Sequence, residues 1–224
     1  MRFLRQVLVI TVKDLRAEFR TKEAINASFA FALVILLMFS FAFSEETTPE
    51  LSGGLLWIVF AFAGTLVLNR SFARELPNDC LDALISAPIS GAALFLGKVL
   101  ANYVLVLGVE LVSLPVFSIF NNVRVTTQFG QLMMVLALGT WALTVIGTIF
   151  SALTVNIRLR EVMLPMLTYP ILVPALLGAM QLTSGLIAGK PIGPDTVAWL
   201  KMLIGFDIMY TAVSVVLVET VLVG

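Results

Sequence analysis

Six apolar stretches, at roughly 27–44, 51–68, 97–119, 131–155, 162–187 and 199–222, alternate with short polar connectors along this 224-residue chain. A membrane span takes about 20 mostly apolar residues, within a range of about 17–25. Each stretch is long enough to be a span, the first two only just. Residues 2–22 show a different pattern. At 100° per residue, Arg2, Arg5, Lys13, Arg16 and Arg20 fall within an arc of about 80°. Phe3, Leu4, Val7, Leu8, Ile10, Leu15 and Phe19 fall on the other side. The pattern predicts an amphipathic helix lying in the membrane surface, basic face toward headgroups and water. Val9 sits in the basic stripe, and Asp14 and Glu18 interrupt the apolar face at i,i+4 spacing. Such a helix reads either as a topology signal or as a contact for a cytoplasmic partner. Ala42-Phe43-Ser44 is a passable signal-peptidase site. The long patterned helix before it and an apolar run exceeding a normal signal core predict an uncleaved anchor instead.

Charge supplies the orientation. Segments 1–26, 69–98 and 156–161 carry Arg2, Arg5, Lys13, Arg16, Arg20, Lys22, Arg70, Arg74, Lys98, Arg158 and Arg160. The other connectors carry only Arg124, Lys190 and Lys201. This positive-inside bias places both termini in the cytoplasm. The loop Glu45 to Glu50, residues 120–130 and residues 188–198 then face outward. The predicted fold class is an all-α membrane protein: six transmembrane helices behind an interfacial helix, with a short cytoplasmic helix between spans two and three. Residues 1–224 form one membrane domain.

Composition agrees and narrows the chemistry. The chain is 59% hydrophobic and 12% charged, against about 45–50% and about 25% for soluble domains. Its net charge is zero, which argues against a nucleic-acid partner. Cys80 is the single cysteine, so no internal disulfide forms, and there is no histidine. Histidine-ligated zinc, a Ser-His-Asp triad and a histidine haem ligand are therefore excluded within this chain. Gly91 to Val99 imitates a phosphate loop, but five residues separate Gly91 from Gly97, and Val99 follows Lys98. The Walker pattern needs four residues between its glycines and Ser or Thr after the lysine. Nucleotide chemistry belongs to another subunit, and no catalytic, cofactor-binding or metal-binding residue is expected.

The longest cytoplasmic connector runs from Asn69 to Lys98. Asn78 or Asp79 can cap a short helix on which Leu81, Leu84 and Ile85 share a face, and Pro88 ends it. It reads either as an interfacial connector or as a docking helix for a cytoplasmic protein. On the docking reading, Arg74, Glu75, Asp79 and Asp82 form a polar rim around the Leu81–Leu84 face. Within the spans, ionisable residues are costly and mark functional candidates. Glu110 in the third span lies deepest and reads as a polar site or a helix–helix hydrogen bond. Asp207 in the sixth lies a turn or two inside the outer boundary, within reach of Lys201 or Lys190, and Glu219 lies near the inner surface. Pro165, Pro170 and Pro174 in the fifth span each remove a helical hydrogen bond and invite a kink. They suggest a helix that bends around a cavity or moves, or simply packs. Gly139, Gly147, Thr144 and Thr148 in the fourth read as a close-packing face.

Several segments also carry a resemblance. Phe72-Ala73-Arg74-Glu75, Leu81-Asp82-Ala83-Leu84, Ala87-Pro88-Ile89-Ser90 and Gly97-Lys98 resemble the general signature of ABC-2-type permeases. Narrower stretches cover nearly the whole chain: Lys13 to Glu18, Phe41 to Phe43, Leu56 to Gly64, Asn69 to Phe72, Gly147 to Thr154, Arg158 to Pro165 and Pro170 to Pro174. Together they resemble the CcmB family of haem exporter subunits in bacterial cytochrome c maturation. The resemblance implies a non-catalytic permease of the bacterial inner membrane, working with a CcmA-like ATPase and CcmC-like and CcmD-like membrane subunits. It also implies indirect action on a CcmE-like haem chaperone. A second copy is expected, since ABC permeases need two halves. No cofactor is bound by the chain alone, and haem enters as a substrate the complex handles. The ATPase contact carried over by the resemblance falls on Arg74, Glu75, Leu81, Asp82, Leu84 and Pro88. An ABC-2 exporter of another lipophilic substrate, or a non-transporting scaffold, are the alternatives.

Overall fold

The structure, a computed structural model of the chain, describes residues 2–42, 49–77, 80, 84, 86–120 and 128–223. Among the described residues it is all-helical: α1 (Arg2–Thr21), α2 (Glu23–Ala42), α3 (Pro49–Leu68), a 3₁₀ turn at Ala73–Glu75, α4 (Gly91–Phe120), α5 (Phe129–Thr154), α6 (Arg160–Ile187) and α7 (Val197–Val223). Six helices are long and apolar enough to cross a membrane, and they are α2 to α7. The chain is a multi-pass membrane protein. The 69–90 connector, the 155–159 turn and α1 gather at one end of the bundle, called here the basic end. The opposite end is called the far end.

Local chemistry sets the boundaries. Pro49 opens α3, where its missing N–H costs nothing. The Ser90 hydroxyl accepts the Ala93 N–H at 3.2 Å, an N-terminal cap that starts α4 at Gly91, ahead of the apolar stretch at 97. Between α1 and α2 a single residue, Lys22, turns the chain with φ +55°. That left-handed cap is normally glycine's, so the break carries no glycine to announce it.

At the centre, α3 packs chiefly on α6, and also on α2, α4 and α5. Gly139 and Gly147 of α5 form the close-packing face. The Trp57 ring and the Leu68 side chain of α3 occupy the space that a Cβ would take at these two positions. The Trp57 indole N–H donates to Thr183 of α6 at 2.9 Å. Thr148 accepts from Asn102 of α4 at 2.9 Å, and Thr144 bonds back to the Thr140 carbonyl at 2.8 Å. All three prolines, Pro165, Pro170 and Pro174, lie inside the single helix α6.

The orientation of α1 differs from expectation. Val7, Ile10, Thr11 and Glu18 are its buried residues, and it packs chiefly on α4. Leu4, Leu8, Val9 and Phe19 are exposed. The acidic positions that interrupt the apolar face therefore lie on the side turned into the protein, where Lys98 and Arg74 pair with them. The exposed apolar residues flank the basic ones, an arrangement that suits the headgroup boundary.

Candidate functional site

Polar chemistry collects in two places. The first is the basic end, where Lys98 is wholly buried near the start of α4. Its Nζ donates to the Ser71 carbonyl at 2.9 Å, to Asp14 of α1 at 3.1 Å and to Glu75 of the connector at 3.1 Å. It also sits 4.9 Å above the Phe72 ring. Lys13 pairs with Asp14 at 3.0 Å and also with Glu75. Glu18 is wholly buried. One of its oxygens pairs with Arg74, and the other accepts the Ile25 N–H at 3.0 Å, which caps the start of α2. Around these ions, Asn102 donates to Ser71 at 2.8 Å, Ser151 to the Leu68 carbonyl at 2.8 Å and Thr11 to the Gly97 carbonyl at 3.0 Å. Charged hydrogen bonds of this kind are the strong ones. They join α1, the connector and the start of α4 into one unit.

Charge balance within that unit follows from burial and neighbours. Burial works to raise the Glu75 carboxyl, but Lys98 and Lys13 outweigh it and hold it below its ordinary value. Burial works to lower Lys13, and Asp14 and Glu75 outweigh it and raise the ammonium above its ordinary value. Segment 91–99, the phosphate-loop imitation, is helical throughout, and its lysine is committed to these pairs.

Of the residues expected to dock a partner, Arg74 and Glu75 have their charges engaged within the chain. Asp79, Leu81 and Asp82, with Ile85, lie outside the described residues. Leu84 is helical and half-buried, and Pro88 is exposed. The Pro88 carbonyl accepts from Gln6 of α1 at 3.2 Å, a second tie between connector and α1. Sequence reading missed Lys98, Asp14 and Glu18 as partners. The available signal was the pair of acids on an otherwise apolar helix face, which predicts cations opposite.

The second polar region is inside the membrane-spanning bundle. Glu110, Thr140 and Asp207 lie 10, 11 and 10 residues from the far ends of α4, α5 and α7. At 1.5 Å per residue, all three stand at the same level, about 15 Å along their helices from the far end. Thr140 donates to one Glu110 oxygen at 2.5 Å. Glu110 is 1% exposed and its other oxygen has no partner among the described residues. Asp207 is 6% exposed, with both oxygens unpartnered. The expected pairing with Lys201 or Lys190 does not form: among the described residues, all ion pairs lie at the basic end. Lys201 is six residues up α7, which places it about 9 Å higher and on another side of the helix, and it is exposed, as is Lys190. Asp207 lines a groove of about 630 Å³ between α5 and α7. Beside it, the Trp141 indole donates to Thr211 at 3.0 Å, and the Tyr103 and Trp141 rings meet edge-on at 5.5 Å.

Comparison with known proteins covers almost the full length. The family model described as "CcmB protein" matches residues 5–221. The chain is 32% identical over 173 residues to "Heme exporter protein B" of Rhodobacter capsulatus, covering 76% of this chain and 78% of that protein. It is 30% identical over 187 residues to the protein of the same description from Paracoccus denitrificans, covering 82% and 85%. The Haemophilus influenzae protein so described is 26% identical over 203 residues, covering 88% and 90%.

Proposed function

The chain belongs to the CcmB protein family, and from that premise we propose that it is the membrane permease subunit of an ABC-type haem exporter serving cytochrome c biogenesis. The observation that carries this reading is the family match, which runs through every one of the six long apolar helices. The chain works in the bacterial inner membrane with the basic end and both termini in the cytoplasm, as the charge asymmetry favours. It is not itself an enzyme. A CcmA-like ATPase supplies hydrolysis and docks on the connector through Arg74, Glu75, Asp79, Leu81, Asp82, Leu84 and Pro88. CcmC-like and CcmD-like membrane subunits complete the complex, a second copy of this chain supplies the other permease half, and a CcmE-like chaperone takes up haem.

The basic-end network supports a mechanical role for the connector. Displacing it pulls on Lys98 through Glu75 and on α1 through Arg74 and Glu18. Lys98 stands on α4, the helix that carries Glu110 two-thirds of the way along. Force at the surface thereby reaches the polar layer at membrane depth through a rigid element. Glu110, Asp207 and the prolines of α6 are the intramembrane groups on which such a movement would act.

The test is replacement. A bacterium lacking its own haem exporter protein B, but keeping the rest of the complex, should regain haem-stained c-type cytochromes when it expresses this chain. Normal membrane levels of the chain without any recovery of c-type cytochromes would refute the assignment to this pathway.

A further inference from the structure

We propose that α1 carries a binding site for anionic lipid on its outer side, where Arg5, Arg16 and Arg20 take the phosphate groups of lipids bordering the bundle. At 100° per residue the helix has three sides. Val7, Ile10, Thr11 and Glu18 centre the side buried on the protein. Leu4, Leu8, Val12 and Phe19 share a second side, and all four are exposed. Arg5, Arg16 and Arg20, also exposed, fall within about 60° of one another on the third, next to the apolar side and opposite the protein. An open hollow follows the seam between the second and third sides, lined by Arg5, Leu8, Val9, Val12, Lys13 and Arg16. The apolar face read from the sequence thus divides in two, one part for the protein and one left over.

The crossing of α1 over α4 sets what lies against those two outer sides. α4 is 30 residues long, about 45 Å, and a hydrocarbon core takes about 30 Å of it. With the surplus shared between its ends, Gly97, six residues in from Gly91 and so about 9 Å along, stands where hydrocarbon gives way to headgroups. α1 crosses there, its Thr11 hydroxyl donating to the Gly97 carbonyl at 3.0 Å. A helix held at that level meets acyl chains with its apolar side and headgroups with its cations. Charge decides which headgroups. The two acids of α1, Asp14 and Glu18, are engaged by Lys13, Lys98 and Arg74. Arg5, Arg16 and Arg20 make no ion pair among the described residues. A zwitterionic lipid brings a cation of its own, whereas an anionic one offers its phosphate unbalanced, and the guanidinium fork matches phosphate geometry. An acidic protein would suit the arginines but not the apolar side that adjoins them at the edge of the hydrocarbon. Only the membrane placement of α2 to α7 is needed for this, whatever substrate the complex handles.

The experiment reads lipid contact at position 12 of the full chain, in the hollow itself. Val12→Cys, in a Cys80→Ser background, is labelled with bimane and reconstituted in phosphatidylcholine nanodiscs containing lipid with brominated acyl chains, which quench on contact. Brominated phosphatidylglycerol should reach half-maximal quenching at a mole fraction several-fold below that of brominated phosphatidylcholine. Arg16→Gln should shrink this preference by up to about fivefold, the scale of one basic residue at an anionic surface. Arg5→Gln, Arg16→Gln and Arg20→Gln together should erase it, while the three corresponding Lys replacements keep most of it. Quenching by brominated phosphatidylcholine should not change in the triple Gln variant, because α1 stays seated at the boundary. Inorganic phosphate at matched ionic strength should not relieve the quenching, and neither should assembly of the labelled chain with the other subunits of its complex. Equal quenching by the two lipids in the wild type, a preference that survives the triple Gln variant, or loss of phosphatidylcholine quenching in that variant would each overturn the proposal. So would relief by inorganic phosphate, which would mark a site for the free ion, or relief on assembly, which would give the face to a protein.

Discussion

Lys98 joins more of the basic end than any other side chain described here: a helix, a connector and a surface helix meet at one ammonium. Removing one partner from a buried charge cluster leaves the others uncompensated. Lys98→Met should cost about 3 kcal/mol, read as a lower midpoint in denaturant for the detergent-solubilised protein. The pH profile provides a second readout. Glu75 is held below its ordinary value of 4.5, so its contribution is complete above that value and is lost as pH falls through the lower folded one. Lys13 is raised above 10.5, so its contribution is complete below that value and is lost as pH rises through the higher folded one. These two groups leave stability level between those limits. Lys98→Met removes one of the two cations holding Glu75 down, so the stability lost on acidification below 4.5 should be smaller than in the wild type. Lys22 offers the opposite sign. Its φ of +55° costs an L-residue about 1 kcal/mol that glycine does not incur. Lys22 makes none of the side-chain ion pairs found at the basic end. Lys22→Gly should raise the same denaturation midpoint by roughly that amount, and a drop would show that the side chain does more than cap.

At the scale of elements, the crossing of α1 over α4 is the contact most sensitive to volume. A Cβ at Gly97 would stand 2.7 Å from the Ile10 side chain and 3.0 Å from the Val7 carbonyl oxygen. The carbonyl is backbone and cannot swing aside, so Gly97→Leu should lift α1 from the bundle. With Thr11→Cys as reporter, buried in the wild type, labelling by a membrane-impermeant maleimide should become several-fold faster, while unchanged labelling would mean that α1 slides rather than lifts. This contact also shows what the sequence could and could not convey. Long uniform apolar runs identify spans, because in hydrocarbon only a helix satisfies its own backbone, and all six were legible with ends shifted by a few residues. The helix at 2–21 was legible from its period. Which side of it faces the protein was not, since Asp14 and Glu18 look like flaws in an apolar face until Lys98 and Arg74, more than 50 residues away, are folded against them. Glu110 and Asp207 were legible as anomalies of composition, but whether either has a partner depends on which helices become neighbours. Gly139 and Gly147 were legible as a packing face, although the residues they admit, Trp57 and Leu68, were not.

For the whole molecule, the question is whether a push at the connector can reach the membrane core, and two variants separate attachment from transmission. Leu84 belongs to the apolar face proposed to dock the ATPase, and it is only half-buried in the isolated chain, leaving surface for a partner. Leu84→Asp puts a charge into that contact and should cost several kcal/mol of docking energy. The ATPase should then fail to co-purify, while membrane levels of the permease hold, because no span is touched. Glu75 cannot be used as a simple rim probe: reversing it to Lys would set a third cation beside Lys13 and Lys98 and break the network from within. Lys98→Met is the informative complement. It leaves the Leu84 face intact, so the ATPase should stay bound at wild-type stoichiometry. The link from connector to α4 is cut, so ATP hydrolysis should continue while c-type cytochrome maturation falls. Two outcomes would contradict this arrangement in different ways. Wild-type ATPase retention by Leu84→Asp would remove the connector as the docking site and turn attention to the exposed side of α1. Loss of the ATPase in Lys98→Met, with the fold intact, would mean that the network shapes the docking surface and does not merely transmit from it.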